Sequence, residues 1–285
     1  HLLAASGLTC LGDAASSLGR YQKAAELYEE ALSIQRKLLG NEHLKVAETL
    51  DRLADTASNL GQYRRANILF QQALSLAKKT SSAEHPEVAV TMNNMAINLR
   101  RQGLYAQAED LYIKAWKITE KTQGRDGYKM AAIMHNMATV VYEKGDYARA
   151  EALHQQALAI QLKHLGPEHP EVAMSLNNLA GTYSRHGEYA RAEELYLKAL
   201  DLRRRLMGPE HPEVAATLSN LGMVLEKQER YKEAETLQRQ ALEIRRKSLG
   251  PGHPNVAIGL NNLGTAIANQ GRFAEAVAIQ EQALR

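Results

Sequence analysis

The sequence predicts an all-α fold built from seven helix-turn-helix repeats, and three observations carry that prediction. An aromatic residue recurs at Tyr21, Tyr63, Tyr105, Tyr147, Tyr189, Tyr231 and Phe273, always 42 residues apart with no insertion or deletion. Small residues keep register with it, at Ala24, Ala66, Ala108, Ala150, Ala192, Ala234 and Ala276, and again from Ala31 to Ala283 at the same spacing. All seven prolines fall in one kind of junction between repeats, where they interrupt no helix.

Each element of the repeat follows from local chemistry. Gly19, Gly61, Gly103, Gly145, Gly187 and Gly271 stand two residues before the aromatic, where a helix has to stop and turn. The second helix of the repeat, B, opens at the aromatic, and its alanines let neighbouring helices approach closely. At the junction "GPEHPEVA", residues 166 to 173, Gly166 closes the B helix in a left-handed conformation. Pro170 then suits the first turn of the next helix, A, and Glu171 favours its positive end. Along that A helix, at about 100° per residue, Val172, Ala173, Leu176, Leu179, Ala180 and Tyr183 share one arc, the expected buried side. Met174, Asn178, Gly181 and Arg185 lie opposite, with Asn177 on the flank. The chain reads as a single domain, 1–285, with repeats at about 1–40, 41–82, 83–124, 125–166, 167–208, 209–250 and a shorter last one at 251–285. Three places depart from the pattern: "QGRDGYKMA" at 123–131 replaces the proline junction, "SSAEHP" at 81–86 lacks the glycine, and Glu229 stands at a turn-glycine position.

Composition narrows the function classes. With 45% hydrophobic and 24% charged residues the chain reads as an ordinary folded protein. No apolar run approaches the roughly 18 residues that span a bilayer, so no membrane role is expected. A single cysteine, Cys10, excludes an internal disulfide framework and fits a reducing compartment, which makes the cytoplasm the expected location. The chain begins with His1, as an excised or processed piece would. A net charge of +3 is too slight to argue for nucleic acid.

The repeated "LGPEHPEVA…LNNLA" and "GEYARAEELYLKAL" stretches resemble the tetratricopeptide repeat, in its kinesin-light-chain-like 42-residue form, over the whole chain. The resemblance implies a right-handed superhelical α-solenoid whose A helices line a concave groove while the B helices form the outer wall. It also implies a peptide-backbone contact for the asparagine at the second groove position, which is here Asn94, Asn136, Asn178, Asn220 and Asn262.

The residues support that reading on their own terms. An asparagine amide offers both donors and an acceptor to an extended backbone, and Val90, Ile97, Met174, Met223 and Ile258 are apolar on a face that solvation alone does not explain. Arg101, Arg185 and Lys227, with Arg100 nearby, suit carboxylates. The first two repeats instead present Asp13, Glu48, Asp51 and Asp55, so an acidic or aromatic-acidic segment of a partner is expected over repeats three to six. The alternative is that the asparagines bridge adjacent A helices; Asn93, Asn177 and Asn261, with His135 and Ser219 in the other copies, are expected to be such linkers.

The function expected first is a non-catalytic module that binds an extended peptide of a partner protein in the groove. The second is a regulatory, sensing or self-associating arm of a larger signalling-type protein, using the outer wall or the ends. RNA binding ranks third, against a groove floor without aromatic stacking residues. No enzyme and no cofactor are expected, because no nucleophile, base and orienting group converge. Six histidines share one repeat position, His1, His43, His85, His169, His211 and His253, and read as junction residues because copies a helix layer apart cannot share a metal.

Overall fold

A computed structural model of the chain describes residues 1–124 and 127–284, Leu284 by its backbone alone. Part of the 123–131 departure therefore lies outside the described residues. The A helices are α1 (Leu2–Ser17), α3 (Leu44–Asn59), α5 (Pro86–Arg101), α7 (Tyr128–Glu143), α9 (Pro170–Arg185), α11 (Pro212–Lys227) and α13 (Pro254–Ala268). The B helices are α2 (Tyr21–Leu39), α4 (Tyr63–Thr80), α6 (Tyr105–Gln123), α8 (Tyr147–Leu165), α10 (Tyr189–Met207), α12 (Tyr231–Leu249) and α14 (Phe273–Glu281), the last running into a short 3₁₀ turn. No strand occurs among the described residues.

The helices group into two compact units, His1–Asp146 and Tyr147–Arg285. In the first, α1 packs on α2, α2 on α3 and so on to α7, and neighbouring A helices also touch, α3 with α5 and α5 with α7. In the second, α8 to α14 pack in the same succession, with α9 beside α11 and α11 beside α13. Close packing depends on the small residues: Ala24, Ala66, Ala108, Ala150, Ala192 and Ala234 have no exposed surface, and neither do Ala31, Ala73, Ala115, Ala157, Ala199 and Ala241. The expected arc of α9 is also found, with Val172, Ala173, Leu179, Ala180 and Tyr183 buried and Leu176 half-buried.

The ends of the helices explain two features of the sequence. Each of His43, His85, His169, His211 and His253 caps the A helix that follows, its Nδ1 accepting the backbone N–H two residues on at 3.1 to 3.3 Å. The repeated histidine thus satisfies one of the orphan donors of a helix N-terminus. Glu229 takes the left-handed conformation of the glycines it replaces, with φ +62° beside +75° at Gly61 and +85° at Gly187. The turn closes as elsewhere, Arg230 N–H donating to the Leu225 carbonyl at 2.9 Å just as Gln62 donates to Ala57. The "SSAEHP" junction works without glycine because α4 stops at Thr80 and Ser81 continues in extended backbone.

Outside the core, ion pairs tie one repeat to the next at a constant offset. Lys79 with Glu42 and Lys121 with Glu84 do so in the first unit, Arg205 with Glu168 and Lys247 with Glu210 in the second. The basic run at 203–205 is divided by this packing. Arg203 turns inward, donating to Thr217 Oγ1 at 2.6 Å and the Glu213 carbonyl at 3.0 Å, while Arg205 stays outside with Glu168 and Asp201.

Candidate functional site

The A-helix face opposite the core carries the candidate residues. Met174, Met223 and Ile258 are exposed there, at 42%, 43% and 51% of their surface, and Val90 and Ile97 are half-buried. Asn94, Asn136, Asn178, Asn220 and Asn262 are all half-buried on the same face. Arg101, Arg185 and Lys227 are exposed at the C-terminal ends of their helices.

The asparagines share a bonding rule that follows from the side-by-side packing of A helices. Asn94, Asn136, Asn220 and Asn262 each meet the flank position of the A helix one repeat earlier, 43 residues back. In the first unit Asn94 Nδ2 donates to Asp51 Oδ2 at 2.8 Å and Asn136 Nδ2 to Asn93 Oδ1 at 3.0 Å. In the second, Asn220 Nδ2 donates to Asn177 Oδ1 at 3.4 Å and Asn262 Nδ2 to Ser219 Oγ at 3.0 Å. Asn93, Asn177 and Ser219 are thus linkers, and one amide hydrogen of each partner asparagine is spent on the scaffold. The other amide atoms of Asn136, Asn220 and Asn262 make no further side-chain bond among the described residues, whereas Asn94 also accepts from Asn93 at 3.3 Å.

The charged side chains are not equivalent. Arg101 donates to Ser58 Oγ and Asn59 Oδ1, both at 2.8 Å, so its fork is engaged by the end of α3. Arg52 is held by Asp13 at 3.1 Å, and the Tyr28 hydroxyl donates to the same Asp13 oxygen at 2.7 Å. Asp51 is only 9% exposed, and its Oδ1 is buried without a partner. Loss of hydration raises its pKa from the ordinary 3.8 to about 6, against the bond from Asn94 and the influence of the nearby Thr91 hydroxyl. Burial also raises Asp55, one turn further on, against the nearby Arg101 charge. In the second unit Glu226 is pushed up from 4.5 to about 7 by burial, only partly offset by Lys227.

A cluster of another kind lies away from this face. Glu151, His186 and Glu188 bring three potential ligand atoms together, but Arg191 donates to Glu188 at 2.5 Å and to Glu151 at 3.2 Å. Its guanidinium also sits 3.9 Å over the Tyr183 ring. A cation already fills the cluster.

Sequence reasoning missed the burial of Asp51 and Glu226, the histidine caps and the ion pairs between repeats. The offset of 43, one more than the repeat length, was the available signal for the asparagine pairs. The sequence profile described as tetratricopeptide repeat matches residues 3–79, 69–121, 87–163, 129–205, 171–247 and 213–285. The chain belongs to the tetratricopeptide-repeat family. Its 42-residue repeats are of the kinesin-light-chain-like type, as solved structures bear out. The chain is similar to the nearly identical TPR-like repeats of a Podosopora anserina protein assigned to kinesin light chains, at 26% identity over 73% of this chain and 99% of that one, with a TM-score of 0.62. It shares its fold with BtubC (BKLC) from P. vanneervenii, at 24% identity over 79% and 88% with a TM-score of 0.63. The fold is also that of the Rap conjugation gene regulator of plasmid pLS20, solved in complex with the Phr* peptide, at 17% identity over 97% and 72% with a TM-score of 0.67. No curated protein sequence matches the chain at a significant level. Among the described residues, no tetratricopeptide helix is long and apolar enough to cross a membrane.

Proposed function

We propose that this tetratricopeptide-repeat chain is a non-catalytic interaction module that holds an extended peptide of a partner protein against the outward face of its A helices. The observation that carries the reading is the half-committed asparagine. One N–H of Asn136, Asn220 or Asn262 is bonded to the neighbouring helix, which orients the amide, and the remaining donor and acceptor are left for a ligand. Exposed Met174 and Met223 flank these amides as adaptable apolar contacts. Arg185 and Lys227, exposed at the ends of α9 and α11, suit an acidic stretch of the peptide over the second unit. A peptide-bound relative in fold, the plasmid pLS20 regulator, is compatible with this use of the fold.

The test separates binding from scaffolding. Peptides selected from a random display library on the full chain serve as probes for two variants. The triple variant Asn136→Ala, Asn178→Ala and Asn220→Ala should lose about tenfold or more in affinity. The double variant Asn93→Ala and Asn177→Ala removes the same bonds between helices from the other side and should keep most of it. Equal loss in both, or no enriched peptide, would return the asparagines to the scaffold and direct attention to the B-helix wall, where a regulatory or self-associating arm would make its contacts.

A further inference from the structure

A glycine inside a helix weakens it, so its presence there calls for a packing or a ligand reason. Four glycines lie within A helices of the second unit. Three of them are explained by packing. A Cβ at Gly222, Gly259 or Gly264 would come within 2.7 Å of Gln238, 3.1 Å of Arg245 or 2.6 Å of Gln280, all on B helices. Gly181 is different. A Cβ there would meet one atom within 4 Å, the Tyr196 hydroxyl oxygen, at 3.4 Å, which is an ordinary contact. Packing therefore permits an alanine where α9 has a glycine.

The counterparts of Tyr196 show how such a hydroxyl is otherwise disposed of. In the first repeat the Tyr28 hydroxyl donates at 2.7 Å to Asp13, the residue at the Gly181 position. In the third, where Ile97 holds that position, the Tyr112 hydroxyl is buried without a partner. The Tyr196 ring is fixed in the core with Leu179, Ala180 and Leu200. Its hydroxyl makes no hydrogen bond among the described residues and, unlike that of Tyr112, is not closed off from solvent. Burial pushes its pKa up to about 12, against the Arg185 charge, so it keeps its proton at neutral pH. The result is an immobilised donor beside a helix position with no side chain to cover it. Without that side chain, the backbone of a ligand can approach α9 closely.

We propose that Gly181 and Tyr196 form a backbone subsite for the bound peptide: one of its carbonyls passes over Gly181, near Asn178 one turn earlier, and accepts from the Tyr196 hydroxyl. The subsite deepens the peptide-binding reading and rests on it. Its test uses the peptides selected on the full chain and two single variants, each measured for affinity and for urea unfolding. Tyr196→Phe should weaken binding about threefold to tenfold and leave the urea midpoint in place, because the hydroxyl has no partner in the fold to lose. Gly181→Ala should raise the urea midpoint, because alanine favours the helix, yet weaken binding by a similar factor, because its methyl group covers the hydroxyl. A structural role alone would not move stability and affinity in opposite directions. In the double variant the two losses should not add, since both remove one contact. Unchanged affinity in either single variant, or a lowered midpoint in Tyr196→Phe, would overturn the subsite. If the triple asparagine variant still loses its peptides in that case, the peptide-binding reading stands without the subsite. If no peptide is enriched, both are overturned.

Discussion

Glu229 spends backbone energy that its glycine counterparts do not, because a side chain in the left-handed region crowds its own backbone. Glu229→Gly should therefore stabilise the second unit by about 1 kcal/mol, read as a higher urea midpoint with unchanged slope. His211→Ala should cost about 1 kcal/mol through the lost cap, and His211→Asp should recover it, since aspartate accepts the same N–H. Glu226 makes a prediction about pH. Its pKa is higher folded than unfolded, so the folded state binds the proton more tightly, and the associated stability is present below about pH 4.5 and lost as pH rises through about 7. Glu226→Gln should flatten that decline in melts taken from pH 4 to pH 8, and a decline that persists unchanged would mean that another group is responsible. The turn at Glu229 was legible in the sequence because the 42-residue register names its counterparts. The environment of Glu226 was not, since its burial depends on how the helices pack.

At the scale of the helix, equivalent positions in successive repeats act as controls for one another. Arg203 of α10 is buried, and both its terminal guanidinium nitrogens are used by Glu213 and Thr217 of α11, which leaves only Nε without a partner. Arg245 of α12 occupies the same repeat position, but α13 offers Asn255 and Gly259 in place of those partners, and a buried nitrogen of its guanidinium has none. Arg203→Met should destabilise by about 1–3 kcal/mol, because it leaves buried polar groups behind. Arg245→Met should be neutral or stabilising in the same melts, because it removes an uncompensated one. The helical phase of both residues could be read from sequence. Their opposite energetics could not, because satisfaction depends on which side chains the following helix presents.

For the molecule as a whole, repeats that contact only their neighbours make stability nearly a sum of local terms. Ala241→Leu, which forces a larger side chain into the fully closed contact within the second unit, should cost about 1–3 kcal/mol. Hydrogen exchange should accelerate mainly in α11 to α13, the helices that pack directly on α12 or belong to it, and a uniform acceleration across α8 to α14 would show a more cooperative unit than nearest-neighbour packing implies. The sequence by itself determined the helical class, the 42-residue period, the places where helices turn, and the face of each A helix that points away from the core. Those properties depend on the periodicity of side chains along one strand of backbone, and seven copies of the pattern make it plain. Only the tertiary structure decided which polar groups on that face are already spent. Asn94 and Asp51, or Arg101 and Ser58, lie a repeat apart in the chain, and whether their atoms meet depends on the packing of one helix on the next.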